Sequence, residues 1–241
     1  MININIQLIK AVVIKEAQSL QKNSNVLVMY LLPIIFTLIY DKIIPDMPPG
    51  FALGFGLLFL VVMVGMYVPS MLLAEEKEKK TIEVLLLSPA SAGDVLLGKG
   101  LLTFFSIILV TGILLLISLP SGVNLLAIFA MTVLISVFSI FIGMMVGLLS
   151  PTQMATGTIG MPVYLMLILV PQLVSFAENR VLEFIARLLP THYYFRSLDR
   201  ILAGGAGWQE IRLDMLIIAL STVLTFYILL FVYRKKGIEA A

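Results

Sequence analysis

The sequence predicts an all-α integral membrane protein, and two observations carry this prediction. Of the 241 residues, 60% are hydrophobic and only 12% are charged, about half the charged fraction of an ordinary soluble domain. Several stretches of at least 18 residues contain no Asp, Glu, Lys or Arg, which is long enough for a transmembrane helix. We therefore expect residues 1–241 to form a single transmembrane domain.

Six apolar segments that contain no Asp, Glu, Lys or Arg are expected to cross the membrane as helices. The first is the shortest and contains Pro33, so its limits are the least sharply defined. Pro151 and Pro162 predict a broken entry into the fifth segment. The six segments are 26–40, 51–73, 101–119, 125–149, 159–176 and 215–233.

Six crossings place both termini on the same side of the membrane. Ten Lys and Arg residues then lie on the terminal side and six on the other side. Cytoplasmic loops carry the excess of these residues. The sequence therefore predicts a multi-pass protein of the cell (plasma) membrane with both termini in the cytoplasm.

Residues 1–25 are expected to form an interfacial helix. Ile9, Val13 and Ala17 recur at helical spacing, opposite Lys10 and Lys15. This pattern is typical of an amphipathic helix that lies in the membrane surface. A helix that only packs on the bundle is the alternative interpretation.

Charged residues are concentrated in residues 74–100, AEEKEKKTIEVLLLSPASAGDVLLGKG, which we expect to form a cytosolic hairpin. Glu75 and Lys79 are an i,i+4 pair in the order that stabilises a helix, so the second segment should continue beyond the bilayer. Ile82, Leu85 and Leu86 then form an apolar stripe outside the membrane. The charges alone suit a solvated loop equally well, but the stripe favours docking on a partner protein.

This hairpin resembles the coupling segment of ABC-2 type permeases, the membrane subunits of one class of ATP-binding-cassette exporter. Lys80 stands where that family usually has a glycine, so the local bend of the family is not expected here. The resemblance extends over the whole chain. The matching residues are Glu76-Lys-Glu-Lys-Lys-Thr81-Ile-Glu83, Leu85-Leu86, Ser88-Pro89 and Gly98-Lys99.

The resemblance implies that the hairpin docks in a groove of a separate ABC ATPase subunit and passes its motion to the membrane helices. It also implies export. One six-helix bundle is half of such a transporter, so a homodimer or a related second permease is expected. The residues that the resemblance places at the ATPase contact are Glu75, Glu76, Glu78, Thr81, Glu83, Leu86 and Pro89.

Residues 93–100 nearly match the nucleotide-binding P-loop, G-x-x-x-x-G-K-[ST], but Gly100 replaces the hydroxyl residue that binds magnesium. We therefore expect the protein not to be an enzyme, with ATP hydrolysed on another chain. The chain has no Cys, and His192 is its only histidine, which excludes thiolate and two-histidine metal sites. We expect no cofactor, and the net charge of +2 gives no reason to expect nucleic acid.

Two short helices in the outer leaflet are expected within residues 177–214, before the last segment. An amphipathic pattern covers 178–189, and a second covers 191–202. Neither is long enough to span the membrane, so both should be interfacial or re-entrant. His192, near the start of the second pattern, suits a hydrogen-bonding residue at headgroup depth better than a proton relay.

The interiors of the six segments contain no ionisable residue, which argues against an ion-coupled or proton-coupled transporter. They suit a lipid-like, lipid-linked or hydrophobic substrate, and membrane lipid is an expected partner. The alternatives are a membrane-embedded lipid-modifying enzyme and a structural subunit of a membrane complex. Polar residues that could line a pathway are Thr37, Tyr67, Ser106, Thr111, Ser136 and Gln172.

Small and polar residues in the spans have a second interpretation. Hydroxyl and amide side chains in membrane helices are also common packing groups. Gly143 and Gly147 form a G-x-x-x-G pattern, which predicts close packing of the fourth segment against another helix.

Overall fold

The computed structural model describes residues 6–44, 50–79, 92–118, 122–176 and 179–239. Over these ranges the chain is helical and has no β-strand, which confirms the all-α class. The helices are α1 (Ile6–Lys22), α2 (Ser24–Lys42), α3 (Phe51–Phe59), α4 (Gly65–Glu78), α5 (Ala92–Ile117), α6 (Leu125–Leu149), α7 (Gln153–Phe176), α8 (Arg180–Arg187), α9 (Pro190–Gly204) and α10 (Trp208–Glu239).

Helices α3 and α4 form one continuous helix of 28 residues, Phe51–Glu78. They are joined by a π-helical segment, Leu60–Val64, whose wider turn shifts the face presented by the residues that follow. Of the apolar stretch in this helix, 72% is buried inside the chain, against 17% for α10. The α3–α4 helix therefore lies in the centre of the bundle, and α10 lies at its periphery.

Five helices in the described part of the chain are long and apolar enough to cross a membrane. They match five of the six predicted segments. The first predicted segment falls in α2, which has 19 residues with Pro33 inside and is not among the five. A total of six crossings therefore stays a prediction. The five helices are Phe51–Glu78, Leu96–Ile117, Leu125–Leu149, Gln153–Val174 and Trp208–Tyr233.

Helix α2 runs antiparallel to the α3–α4 helix along most of its length. Asn23, just before α2, has its amide nitrogen 4.0 Å from the sulfur of Met71. At the other end of α2, the ring of Tyr40 lies 5.7 Å from that of Phe51. The α2 helix thus covers the same depth of the bundle as residues 51–71.

We call the end of the bundle where α4 ends and α5 begins the hairpin end. Helix α6 also ends there, because Lys77 Nζ of α4 lies 3.1 Å from the carbonyl oxygen of Ser150, just after α6. The last part of α10 lies there too, since Tyr233 and Leu96 of α5 line the same groove. The end of α4, the start of α5 and the end of α10 therefore lie on one side of the bundle.

Helix α6 packs most extensively against α4 and α10. A Cβ atom added at Gly143 would lie 2.2 Å from the carbonyl oxygen of Met66, and one at Gly147 would lie 2.6 Å from that of Ser70. Side chains at these positions would overlap the α4 backbone. The predicted close packing through the G-x-x-x-G pattern is therefore confirmed.

The predicted broken entry into the fifth segment is wrong. Helix α7 runs without interruption from Gln153 to Phe176, with Pro162 and Pro171 inside it. Proline removes a backbone donor, but membrane helices tolerate it because neighbouring groups satisfy the freed carbonyl. Pro151 lies before the helix rather than at a break within it.

Helices α8 and α9 occupy the stretch in which two short helices were predicted. Pro190, which stands between the two predicted patterns, is the first residue of α9, where its missing N–H costs no helical hydrogen bond. Gly205 ends α9 with a left-handed φ of 64°, a conformation that glycine adopts without strain. Placement of these helices in the outer leaflet, and of α1 in the interface, stays a prediction.

Candidate functional site

Lys99 of α5 lies at the centre of a buried ion cluster, which we define as Lys15, Glu16, Glu76 and Lys99. Its side chain is 1% exposed, and its Nζ lies 2.8 Å from Glu16 Oε1 and 3.1 Å from Glu76 Oε1. The same nitrogen donates to the carbonyl oxygen of Leu72 at 2.9 Å. All three N–H groups of the ammonium therefore have acceptors.

Lys15 balances the charge of the ion cluster. Its Nζ lies 2.9 Å from Glu76 Oε1 and 3.4 Å from Glu16 Oε1, so two ammonium groups face two carboxylates. Burial lowers the pKa of Lys15, but the hydrogen bond to Glu76 and the two negative charges outweigh burial, and the net shift is upward. Lys15 is therefore charged at neutral pH.

The ion cluster joins three helices, α1, α4 and α5, because each supplies at least one member. A Cβ atom added at Gly98 would lie 2.6 Å from Cγ1 of Val12, so only glycine allows α1 to come this close to α5. This approach brings Glu16 within hydrogen-bond distance of Lys99. The structure thus gives a physical reason for the Gly98-Lys99 pair.

Lys77 and Glu78, the two residues of α4 that follow Glu76, contact the connection between α6 and α7. Lys77 donates to the carbonyl oxygens of Leu148 and Ser150, and Glu78 Oε2 accepts from the backbone N–H of Gln153 at 2.9 Å. The C-terminal end of a helix carries partial negative charge and the N-terminal end partial positive charge. Lys77 therefore lies at the C-terminal end of α6, and Glu78 lies at the N-terminal end of α7. Each side chain carries a charge opposite in sign to the partial charge of the helix end that it contacts.

Lys77→Met is expected to lower the stability of the protein by about 1–3 kcal/mol, because carbonyl oxygens of the α6 end lose their donor. The matched control is Lys79→Met, since Lys79 is 60% exposed and pairs with Glu75 at i,i+4. Loss of such an exposed pair costs about 0.3–0.5 kcal/mol. Melting of the detergent-solubilised protein measures both, and equal melting temperatures would contradict a role for Lys77 in holding α6.

The residues predicted at the ATPase contact occupy different environments. Glu75 is half-buried and pairs with Lys79, whose pKa is raised by this hydrogen bond. The Glu76 side chain is only 6% exposed, within the ion cluster, and Glu78 contacts α7 as described. Contact of these residues with an ATPase stays a prediction. Lying outside the described residues are Thr81, Glu83, Leu86 and Pro89.

Sequence reasoning missed Glu16 and Lys15 as partners of the hairpin. The charge pattern assigned Lys15 to the polar face of an interfacial helix and gave Glu16 no role. One signal was present, because Glu16 is the only acidic residue before Asp41. A lone carboxylate on a basic helix indicates a specific partner.

The candidate pathway residues fall into two groups. Thr37, Thr111 and Ser136 are buried within the chain, and the hydroxyls of Thr37 and Ser136 donate to carbonyl oxygens of their own helices. The other three retain exposed surface, and they are Tyr67, Ser106 and Gln172.

At the opposite end, α9 is attached to α6 and α10. The buried Tyr194 hydroxyl lies 2.9 Å from Thr132 Oγ1 of α6. Asp214 of α10 is buried, accepts from Ser197 Oγ at 2.7 Å and forms an ion pair with Arg196. Burial, followed by the charge of Arg196, lowers the pKa of His192, so this histidine is neutral at pH 7.

The family comparison agrees with this architecture. A family model described as "ABC-2 family transporter protein" matches residues 3–231, and no curated protein matches the chain significantly. The match extends from α1 to Phe231 within α10, and the apolar helices indicate a multi-pass membrane protein. The chain therefore belongs to the ABC-2 transporter family, as a permease subunit of an ABC transporter and not as its ATPase.

Proposed function

We propose that the protein is the permease subunit of an ATP-driven exporter and that its hairpin couples it to separate ATPase subunits. The contacts of three successive residues of α4 carry this proposal. Glu76 binds α1 and α5, Lys77 binds the end of α6, and Glu78 binds the start of α7. A displacement of the hairpin would therefore act on five helices at once.

The proposal includes a dimer in the cell membrane, with both termini and the hairpin on the cytoplasmic side. The end of α4, the start of α5 and the end of α10 lie on one side of the bundle. The sequence assigns ten of the sixteen Lys and Arg residues to this side, as expected of a cytoplasmic side. One chain supplies half of the substrate pathway, and a second copy or a related permease supplies the other half.

A hydrophobic, lipid-like or lipid-linked substrate suits the apolar helices. Of the polar candidates for the pathway, we retain Tyr67, Ser106 and Gln172, because these keep exposed surface in the single chain. Thr37, Thr111 and Ser136 are buried among helices, which favours a packing role for them.

The test is a double substitution at the hairpin, Glu83→Ala with Leu86→Ala, in the permease expressed with its ATPase. We expect loss of co-purification and of permease-stimulated ATP hydrolysis. The matched control is Glu183→Ala on α8 with Leu188→Ala directly after it, at the opposite end, where both side chains are exposed. Unchanged co-purification and hydrolysis in the hairpin variant would refute the coupling role.

A further inference from the structure

A groove of about 430 Å³ lies between α5, α6 and α10 near the hairpin end, within the size range of small-ligand pockets. Its walls include Leu101 and Phe104 of α5, Val137 of α6, and Phe226 and Tyr233 of α10. Among the described residues that line the groove, Tyr233 alone bears a polar side-chain group. The groove therefore suits a hydrocarbon ligand.

The length of the groove matches one leaflet of a bilayer. On α5 the lining runs from Leu96 to Phe104, which is about 12 Å at 1.5 Å per residue. One leaflet contributes about half of a 30 Å hydrocarbon core. A ligand in this groove would therefore be buried in the leaflet at the hairpin end and would not cross the membrane.

The walls of the groove suit a lipid chain. The described residues of α5 and α6 that line it are all apolar, and an extended acyl chain is thin and needs no polar partner along its length. The proposed occupant is therefore an acyl chain.

Charge at the mouth of the groove indicates the headgroup. Helix α10 continues beyond Tyr233 to Glu239, and Arg234, Lys235 and Lys236 follow Tyr233 directly. Three cationic residues thus lie within one helical turn of the mouth. Basic residues at this depth attract anionic lipid headgroups, and tyrosine is favoured at the same interface.

We propose that this groove binds one acyl chain of an anionic phospholipid from the leaflet at the hairpin end, with the headgroup beside residues 234–236. This lipid is a resident ligand of the permease and is distinct from the exported substrate. The proposal does not depend on coupling to an ATPase.

The test uses the purified chain in nanodiscs with two photoreactive probes, phosphatidylglycerol and phosphatidylcholine, that carry the same diazirine-labelled acyl chain. We expect crosslinks within residues 96–104, 137–144 or 226–233. Labelling by phosphatidylglycerol should be on the order of 100-fold stronger, because each of three nearby cations is worth about 1 kcal/mol and every 1.4 kcal/mol is tenfold. Equal labelling by both probes, or labelling outside these ranges, would overturn the proposal. Crosslinks to a second protein chain in the groove would overturn it in favour of a dimer contact.

Two sets of variants distinguish the binding site of the acyl chain from that of the headgroup. Val137→Trp fills the groove and should reduce phosphatidylglycerol labelling about tenfold. Val223→Trp, at a position on α10 that is 53% exposed and outside the groove, should leave it unchanged. Substitution of Arg234, Lys235 and Lys236 by Gln should lower phosphatidylglycerol labelling to the phosphatidylcholine level without blocking the groove. Unchanged labelling in the Val137 variant or the triple variant contradicts the proposed site.

Discussion

Lys99→Met is expected to lower the melting temperature of the solubilised protein by roughly 10 °C. The substitution leaves the carboxylates of Glu16 and Glu76, both nearly fully buried, facing only Lys15, whose side chain is 61% exposed. Removing one partner of a buried ion pair costs about 3–5 kcal/mol because an uncompensated charge stays buried. For a chain of this size, 1 kcal/mol corresponds to about 2–4 °C.

A second substitution distinguishes lost charge balance from lost packing. Lys99→Met combined with Glu16→Gln removes one charge of each sign and leaves Lys15 paired with Glu76. This double variant should recover more than half of the lost stability, which is the coupling that a double-mutant cycle measures. If the double variant is no more stable than Lys99→Met, the cost lies in packing and not in the ion cluster.

Lys79→Met is the matched control for this experiment. It also removes a lysine from a pair with a glutamate, but Lys79 is 60% exposed and the expected cost is about 0.5 kcal/mol or less. If the Lys99 and Lys79 variants have the same melting temperature, this would contradict a stabilising role of the ion cluster.

The membrane helices could be predicted from sequence because the bilayer imposes a simple requirement on each of them. A helix that crosses hydrocarbon needs about 20 apolar residues, and this property is local in the chain. The segments Leu125–Leu149 and Trp208–Tyr233 each meet this requirement by their own length and composition. The G-x-x-x-G pattern was also informative, since small residues at this spacing lie on one face of a helix.

The ion cluster could not be predicted because its members are distant in sequence. Lys80 stands four residues after Glu76, which is the spacing of an ion pair within one helix. In the structure Glu76 contacts Lys99 and Lys15, which are 23 and 61 residues away. Helical periodicity identifies neighbours within one helix only. Which helices meet, and which charges are buried between them, depends on packing that a single sequence does not specify.

This difference changes the interpretation of the charged run that follows the second span. The sequence suggested that the acidic residues at the end of α4 face an ATPase. The structure places Glu76 inside the chain, with Lys77 and Glu78 on the neighbouring connection. The end of α4 is thus suited to transmit motion among helices, which leaves the residues beyond position 80 as the proposed ATPase-binding surface.

Gly143→Ala is expected to destabilise the protein by about 3 kcal/mol. The added Cβ atom would lie 2.2 Å from the carbonyl oxygen of Met66 and 2.7 Å from its Cα, far below van der Waals contact. Both atoms belong to the α4 backbone, so no side-chain rotation can relieve the overlap. Overpacking of a dense interior costs about 1–3 kcal/mol, and the upper value is expected because a whole helix must move.

Gly112→Ala provides the matched control, because it makes the same substitution in transmembrane helix α5, where a Cβ atom meets nothing within 4 Å. There the gain in helix propensity, about 1 kcal/mol, should raise stability or leave it unchanged. The fraction of protein that elutes as a monodisperse peak after heating measures both variants. Since α4 carries the charged residues that contact the other helices, a displaced α4 should also weaken the Lys77 and Glu78 contacts. If the Gly143 variant melts with the Gly112 variant, α4 and α6 do not approach as closely as the structure shows.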